Sequence, residues 1–289
     1  MGCILILRKK INIGDLFLYQ TFLMYFLNGI MRLGSLIEEY NNYLISLNRI
    51  EDLYTISKEK FFGSYYYYGY DLSGDILFKN LIYKYGSKDI LRGINLIIKR
   101  GEKILLIGKS GSGKSSLVKI LMRYLEVPYG MCSIDNIDIN HYHLENIRNN
   151  ISYVSSNEFL FTDTLYNNIT LGKDVNDEDF YNVMDITKVN DLIGERDMQV
   201  MVEENGFNFS NGEKQRIIIS RYLLRKSNIY IFDEAFGQID IKMEQEILKK
   251  VFSYLKEETI IVISHSIDNK KLFDRVLRLE NGLIYEEKV

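Results

Sequence analysis

Apolar positions along this 289-residue chain follow two regimes that change near residue 70. In the first, the uncharged run Leu16–Met31, LFLYQTFLMYFLNGIM, lies between Asp15 and Arg32. Beyond it Leu36, Ile37, Tyr40, Leu44, Leu47, Ile50 and Leu53 recur three or four apart, as on one face of a helix. A bilayer span needs about 20 apolar residues, which this run reaches only if Arg32 snorkels and Leu33, Leu36 and Ile37 extend it. Taken alone it reads equally well as a buried soluble helix. The stretch FFGSYYYYGYDLSGD then has the glycines and the broken periodicity of a linker, with a boundary near Asp71. In the second regime apolar residues come in short blocks: KILLI at 103–107, NIYIF at 228–232, and IIVIS before His265. Continuous blocks of this length suit strands of a parallel sheet covered on both faces, and Ser115–Tyr124 has helical spacing.

Composition narrows the setting. Hydrophobic residues are 46% and charged residues 26%, ordinary for a globular protein, and a net charge of −3 gives no reason to expect nucleic acid as partner. The two cysteines, Cys3 and Cys132, have neither disulfide-framework nor zinc spacing. His141 and His143 lack the carboxylate or cysteine that would complete a metal set and read as surface residues. The run Cys3–Leu7, ending at Arg8-Lys9-Lys10, has no signal-peptide layout, and Ile6 stands where myristoylation needs Ser or Thr. It is expected to be the end of an earlier membrane helix.

Candidate chemistry gathers where the apolar blocks end. After KILLI comes Gly108-Lys109-Ser110-Gly111-Ser112-Gly113-Lys114-Ser115-Ser116, a GxxxxGK[ST] loop between a strand and a helix. Small residues there let backbone N–H groups surround phosphates, Lys114 neutralises the β and γ charge, and Ser115 ligates Mg²⁺. The block NIYIF ends in Asp233-Glu234, one carboxylate to hold Mg²⁺ through water and one to polarise the attacking water. Two strand ends of complementary chemistry predict an MgATP site.

With these residues the chain resembles the ATP-binding-cassette family from about Asp75 onward. The family's signature, LSGGQ and a basic-Gln-Arg stretch, is similar to Phe209-Ser210-Asn211-Gly212-Glu213 followed by Lys214-Gln215-Arg216; taken alone FSNGE reads as an ordinary helix cap. The resemblance implies that Ser210 and Gly212 face the γ-phosphate of ATP held by a second subunit. It further implies that Tyr85 stacks on adenine, with Tyr83 as the alternative, and that His265 senses the γ-phosphate. The family's coupling glutamine falls at Ser156, so its long amide is missing and Asn157 stands next to it. Gly237-Gln238-Ile239-Asp240 replaces SALD and keeps the acid that helps the subunits communicate, while Glu204 matches an acidic position found in exporters.

The implied fold is an α/β P-loop NTPase of cassette type with a β-subdomain and a helical subdomain. It is preceded by a long, partly transmembrane N-terminal helix. The expected domains are a truncated transmembrane region at 1–60, holding the end of one helix and a second at about 16–37, a linker at 61–74, and the nucleotide-binding domain at 75–289. The expected function is the ATP-binding and ATP-hydrolysing component of a membrane exporter, a half-transporter fragment or split-gene product, with a peptide as cargo and lipid or drug export left open. Implied partners are a second nucleotide-binding domain, in a homo- or heterodimer, and the remaining membrane helices on another chain. The place is the cell membrane with the nucleotide-binding domain cytoplasmic. A regulatory subunit that no longer turns over and a soluble cassette ATPase are the alternatives.

Overall fold

The computed structural model describes residues 12–55, 72–193, 199–265 and 269–287. The expected early helix end at Cys3–Lys10 and most of the 61–74 linker lie outside the described residues.

Helix α1, Ile13–Thr55, is 43 residues long with no buried residue, or roughly 65 Å at helical rise. Asp15 stabilises its start by accepting from the Asn12 N–H at 2.9 Å. Apolar side chains from Phe17 to Leu53 are exposed along it. Among the described residues no helix is long and apolar enough to cross a membrane. The expected span at about 16–37 falls short because Gln20, Thr21, Asn28 and Arg32 dilute its apolar residues.

The α/β unit contains two sheets. One is antiparallel, in the order β2 (Lys88–Ile98), β1 (Ile76–Tyr85), β4 (Cys132–Ile134), β5 (Ile137–Asp138). The other runs β10 (Leu283–Glu287), β9 (Arg275–Glu280), β3 (Lys103–Ile107), β8 (Thr259–Ile263), β7 (Ile229–Asp233), β6 (Ile151–Ser155). All of its pairings are parallel except β9 with β10. Strands β3 and β8 are buried at every position, which is why, after Lys103 and Thr259 at their starts, they appear in the sequence as apolar blocks.

Strand alternation divides the core in two. Leu105, Ile107, Tyr230, Phe232, Ile260 and Val262 pack with α5 (Asp177–Ile186), α7 (Asn211–Leu223) and α8 (Ile241–Tyr254). Their neighbours Ile104, Leu106, Ile229, Ile231, Ile261 and Ile263 pack with α2 (Lys114–Leu121) and the antiparallel sheet. Each such side chain contributes about 1.5–3 kcal/mol when fully buried. Among the described residues of the unit, shorter α-helices are α3 (Leu144–Asn150), α4 (Leu165–Thr170) and α6 (Asn190–Ile193). His143 is the residue before α3 and its side chain is only 17% exposed, so it is not the surface residue expected; His141 is exposed, with its ring 5.3 Å from that of Tyr129.

Candidate nucleotide site

Parallel strands deliver their C-terminal ends to one edge, where open α/β sheets bind ligands. The order β3-β8-β7-β6 brings to that edge the Gly108–Ser116 loop, His265, Asp233-Glu234 and Ser156. The register sets Leu106 opposite Ile263, Ile263 opposite Asp233, and Asp233 opposite Ser155.

The loop is tightly specified. A Cβ at Gly108 would lie 2.4 Å from the Leu279 carbonyl oxygen, so only glycine lets the loop pass β9. Gly113, the N-cap of α2, has φ of 112° and admits no side chain without strain. Lys114 is buried and its ammonium donates to the Gly108 carbonyl at 2.6 Å and the Lys109 carbonyl at 3.1 Å. Burial lowers its pKa from the ordinary lysine value, against the opposing pull of Glu234 and Asp233. The buried Ser112 hydroxyl oxygen has no hydrogen-bond partner among the described residues. Ser115 is exposed on the first turn of α2, and Ser116 is buried. Beside the loop lies a cavity of about 270 Å³, lined by Lys88–Ile90, Gly108–Ser112 and Arg278–Gly282.

Across the strand edge, Asp233 is half-buried, and burial raises its pKa above the ordinary carboxylate value. Tyr153 on β6 donates its hydroxyl to Asp233 Oδ2 at 2.9 Å. Burial first, and then the Asp233 charge, raise that phenol well above its ordinary value, so it stays protonated as the donor. Glu234 has φ of 55°, a left-handed conformation costly for a residue other than glycine. It is held by its N–H donating to the Ile263 carbonyl at 3.0 Å and by its carbonyl accepting from Gly237 at 3.2 Å. His265 Nε2 and Glu234 Oε1 are 2.7 Å apart, so the two residues expected to act on the γ-phosphate region are brought together.

Ser156 does not send a side chain to the acidic pair in place of a glutamine. Its N–H donates to the Asp233 carbonyl at 3.1 Å, and Asn157 is exposed. Tyr85 ends β1, 46% exposed, its ring edge-on to Tyr83 at 5.1 Å, and it does not line the loop cavity.

Ser210 and Gly212 lie elsewhere. They line an open hollow of about 500 Å³ with Asn211, Glu213, Arg216 and Gln238–Asp240, sharing no residue with the loop cavity. Ser210 is the N-cap of α7 in a reciprocal capping box: its hydroxyl accepts from the Glu213 N–H at 3.4 Å, and its N–H donates to Glu213 Oε2 at 2.7 Å. A Cβ at Gly212 would meet the Gln238 carbonyl oxygen at 2.8 Å. The Gln238 N–H donates to Gln215 Oε1 at 2.9 Å, tying α7 to the segment after Glu234. Asp240 caps α8 by accepting from Met243.

The geometry fits a nucleoside triphosphate with its divalent cation. A buried ammonium satisfied only by carbonyls of its own loop, an orphaned hydroxyl beside it and glycines that exclude Cβ atoms suit a bound polyphosphate. No cluster of three or more His, Cys, Asp or Glu capable of holding a metal occurs among the described residues. A cation here would depend on Asp233, Ser115 and the phosphates, as Mg²⁺ sites commonly do.

Comparison with known proteins agrees. Residues 91–237, just over half of the chain, match the ABC transporter family model. The transport/processing ATP-binding protein ComA of Streptococcus pneumoniae is 28% identical over 99% of this chain and 40% of its own length. The alpha-hemolysin translocation ATP-binding protein HlyB of Escherichia coli O157:H7 is 32% identical over 99% of this chain and 41% of its own. The ATP-dependent lipid A-core flippase of Wigglesworthia glossinidia brevipalpis is 32% identical over 96% and 48%. A solved bacterial Atm1-family ABC exporter with ATP bound superposes with a TM-score of 0.77 at 27% identity, covering 96% of this chain and 49% of that one. The chain thus spans less than half the length of these relatives.

Proposed function

Because this chain belongs to the ABC transporter family and carries its ATP-binding domain, we propose that it is the ATP-hydrolysing component of a membrane exporter. The observation that carries this reading is the convergence of the Lys114 loop, Asp233 and the Glu234–His265 pair on one sheet edge.

In this reading the backbone of Gly108–Ser116 and the Lys114 ammonium hold the β- and γ-phosphates. The buried ammonium trades two carbonyl partners for anionic oxygens, which offset its desolvation. Ser115 and Asp233 hold Mg²⁺, which when bound screens the phosphate charge and aligns the leaving group. Glu234 orients and deprotonates the attacking water, and His265 moves from the Glu234 carboxylate to the γ-phosphate. Tyr85, exposed at its strand end, stacks on adenine.

Ser210 and Gly212 contribute to a partner's site. Their separation from the loop cavity supports a composite arrangement in which two nucleotide-binding domains each complete the other's site. In this reading the exposed apolar residues of α1 meet the remaining membrane helices, the protein sits at the cell membrane, and its α/β unit lies in the cytoplasm. A peptide is the proposed cargo, supported by similarity to proteins named for transport and processing and for hemolysin translocation.

The test is Glu234→Gln in the full chain reconstituted with its partner in lipid vesicles. ATP turnover should fall by about 100-fold or more while ATP remains bound. Unchanged turnover would remove Glu234 from the mechanism.

A further inference from the structure

Strand β6 approaches the acidic pair in an unexpected way. The residue at the position where the family resemblance expects a long amide, Ser156, reaches Asp233 only through its backbone N–H. Three residues earlier, Tyr153 pairs with Ile231 on β7 and its hydroxyl donates to Asp233 Oδ2 at 2.9 Å, a contact between residues 80 apart. Asp233 is thereby gripped twice from one strand end, at its carbonyl by Ser156 and at its carboxylate by Tyr153. Oδ1 is left without a hydrogen bond among the described residues. Tyr153 is itself anchored, with its ring packed on the core cluster that contains Ile229 and Ile231.

We propose that Tyr153 is a positioning residue for the metal ion of this site, fixing the Asp233 carboxylate through Oδ2 so that Oδ1 remains for Mg²⁺ or its water. The inference rests on the ATP-hydrolysing reading and adds to it the group by which β6 contributes. Rotation about the last side-chain bond of an aspartate is soft, so a carboxylate on a strand end needs a second contact to present one oxygen reproducibly. A phenol provides that contact without neutralising the carboxylate, as Lys or Arg would. Partners of this kind commonly set metal affinity by 10- to 100-fold. Tyrosine also fits the span: Ser155 lies directly opposite Asp233, and Tyr153 reaches Oδ2 along the sheet from the next position on the same face.

The experiment uses the full chain in a Glu234→Gln background, which is expected to retain ATP, with and without Tyr153→Phe. ATP retention is titrated against Mg²⁺, bound Mn²⁺ is followed by electron paramagnetic resonance, and ATP binding is measured in EDTA. Tyr153→Phe should raise the Mg²⁺ half-point about tenfold and weaken the Mn²⁺ signal in parallel, with ATP binding in EDTA and the thermal midpoint unchanged. A Mg²⁺ half-point equal to that of the parent would overturn the proposal. So would an equal loss of ATP binding in EDTA, which would mark Tyr153 as a general structural residue. If the parent itself binds no ATP with or without metal, the failure belongs to the ATP-hydrolysing reading and is separately recognisable.

Discussion

The phosphate loop and the signature turn each lead into a helix and each line a hollow, yet they are finished in opposite ways. At the loop, the N-cap of α2 is Gly113, which offers no side chain, the buried Lys114 ammonium is turned onto loop carbonyls, and the Ser112 hydroxyl is orphaned. At the signature, the Ser210–Glu213 capping box satisfies α7 from within. The first end is incomplete as a protein surface, because unmet buried polar groups carry a standing cost that a ligand removes. The second is complete without a ligand, its cap closed by its own side chains. A helix N-terminus is therefore a poor guide to binding on its own; what matters is whether the fold has already satisfied it.

Lys114→Ala tests the incomplete end most severely. Removing a charge-assisted contact to phosphate is expected to weaken ATP binding by about 100-fold or more, read by calorimetry on the full chain. The folded state should be no less stable, because a buried ammonium is removed together with its desolvation cost. A variant that keeps ATP affinity and loses stability would reverse the comparison, making Lys114 a structural clamp on its loop.

At the complete end the expected change is in stability. Ser210→Ala deletes the hydroxyl half of the capping box, worth about 1 kcal/mol, or about 2–4 °C in the thermal midpoint of a unit this size. ATP binding to the isolated chain should be unaffected, since the signature hollow shares no residue with the loop cavity. A tenfold drop in the affinity of the isolated chain would show the two ends to be one site.

Which of these features could be read from the sequence follows from how local they are. The blocks at 103–107 and 228–232 are legible because strands buried on both faces need apolar residues at every position, and their strand-end chemistry lies in the next residues. The Ser-x-x-Glu spacing of Ser210 and Glu213 is equally local, and the two readings of FSNGE, cap and signature, describe one turn. Tyr153 was not legible. Its role depends on β6 lying parallel to β7 in one register, and one tyrosine among 22 carries no sign of that pairing. The partial burial of His143 escaped for a similar reason: it lies between Tyr142 and Leu144, whose side chains enter the core, and only the packing of that turn shows how far the imidazole follows them. At α1 the helical spacing was plain, but three or four polar residues decide whether such a helix is apolar enough to span a bilayer.

The smallest effect probes the wall of the loop cavity. The β9–β10 turn lines that cavity and not the signature hollow, and ion pairs hold its strands. Glu286 meets Arg275 at 3.0 Å, and Glu287 meets Lys270 and Arg278. Hydrogen bonds from these cations are the first cause holding both carboxyl groups below the ordinary glutamate value. Groups whose folded pKa is lowered stabilise the fold above the unfolded value, near 4.5, and lose that contribution as pH falls through the lower folded value. Such partly exposed surface pairs are worth about 0–1 kcal/mol each. The double variant Glu286→Gln/Glu287→Gln should therefore melt less than about 2 °C below the parent at pH 7, and the gap should close once the solution is acidic enough to protonate the parent's carboxylates. Thermal unfolding followed from pH 7 to pH 3 measures this directly, and a gap that persists unchanged in acid would mean that packing, not charge, holds the hairpin beside the phosphate loop.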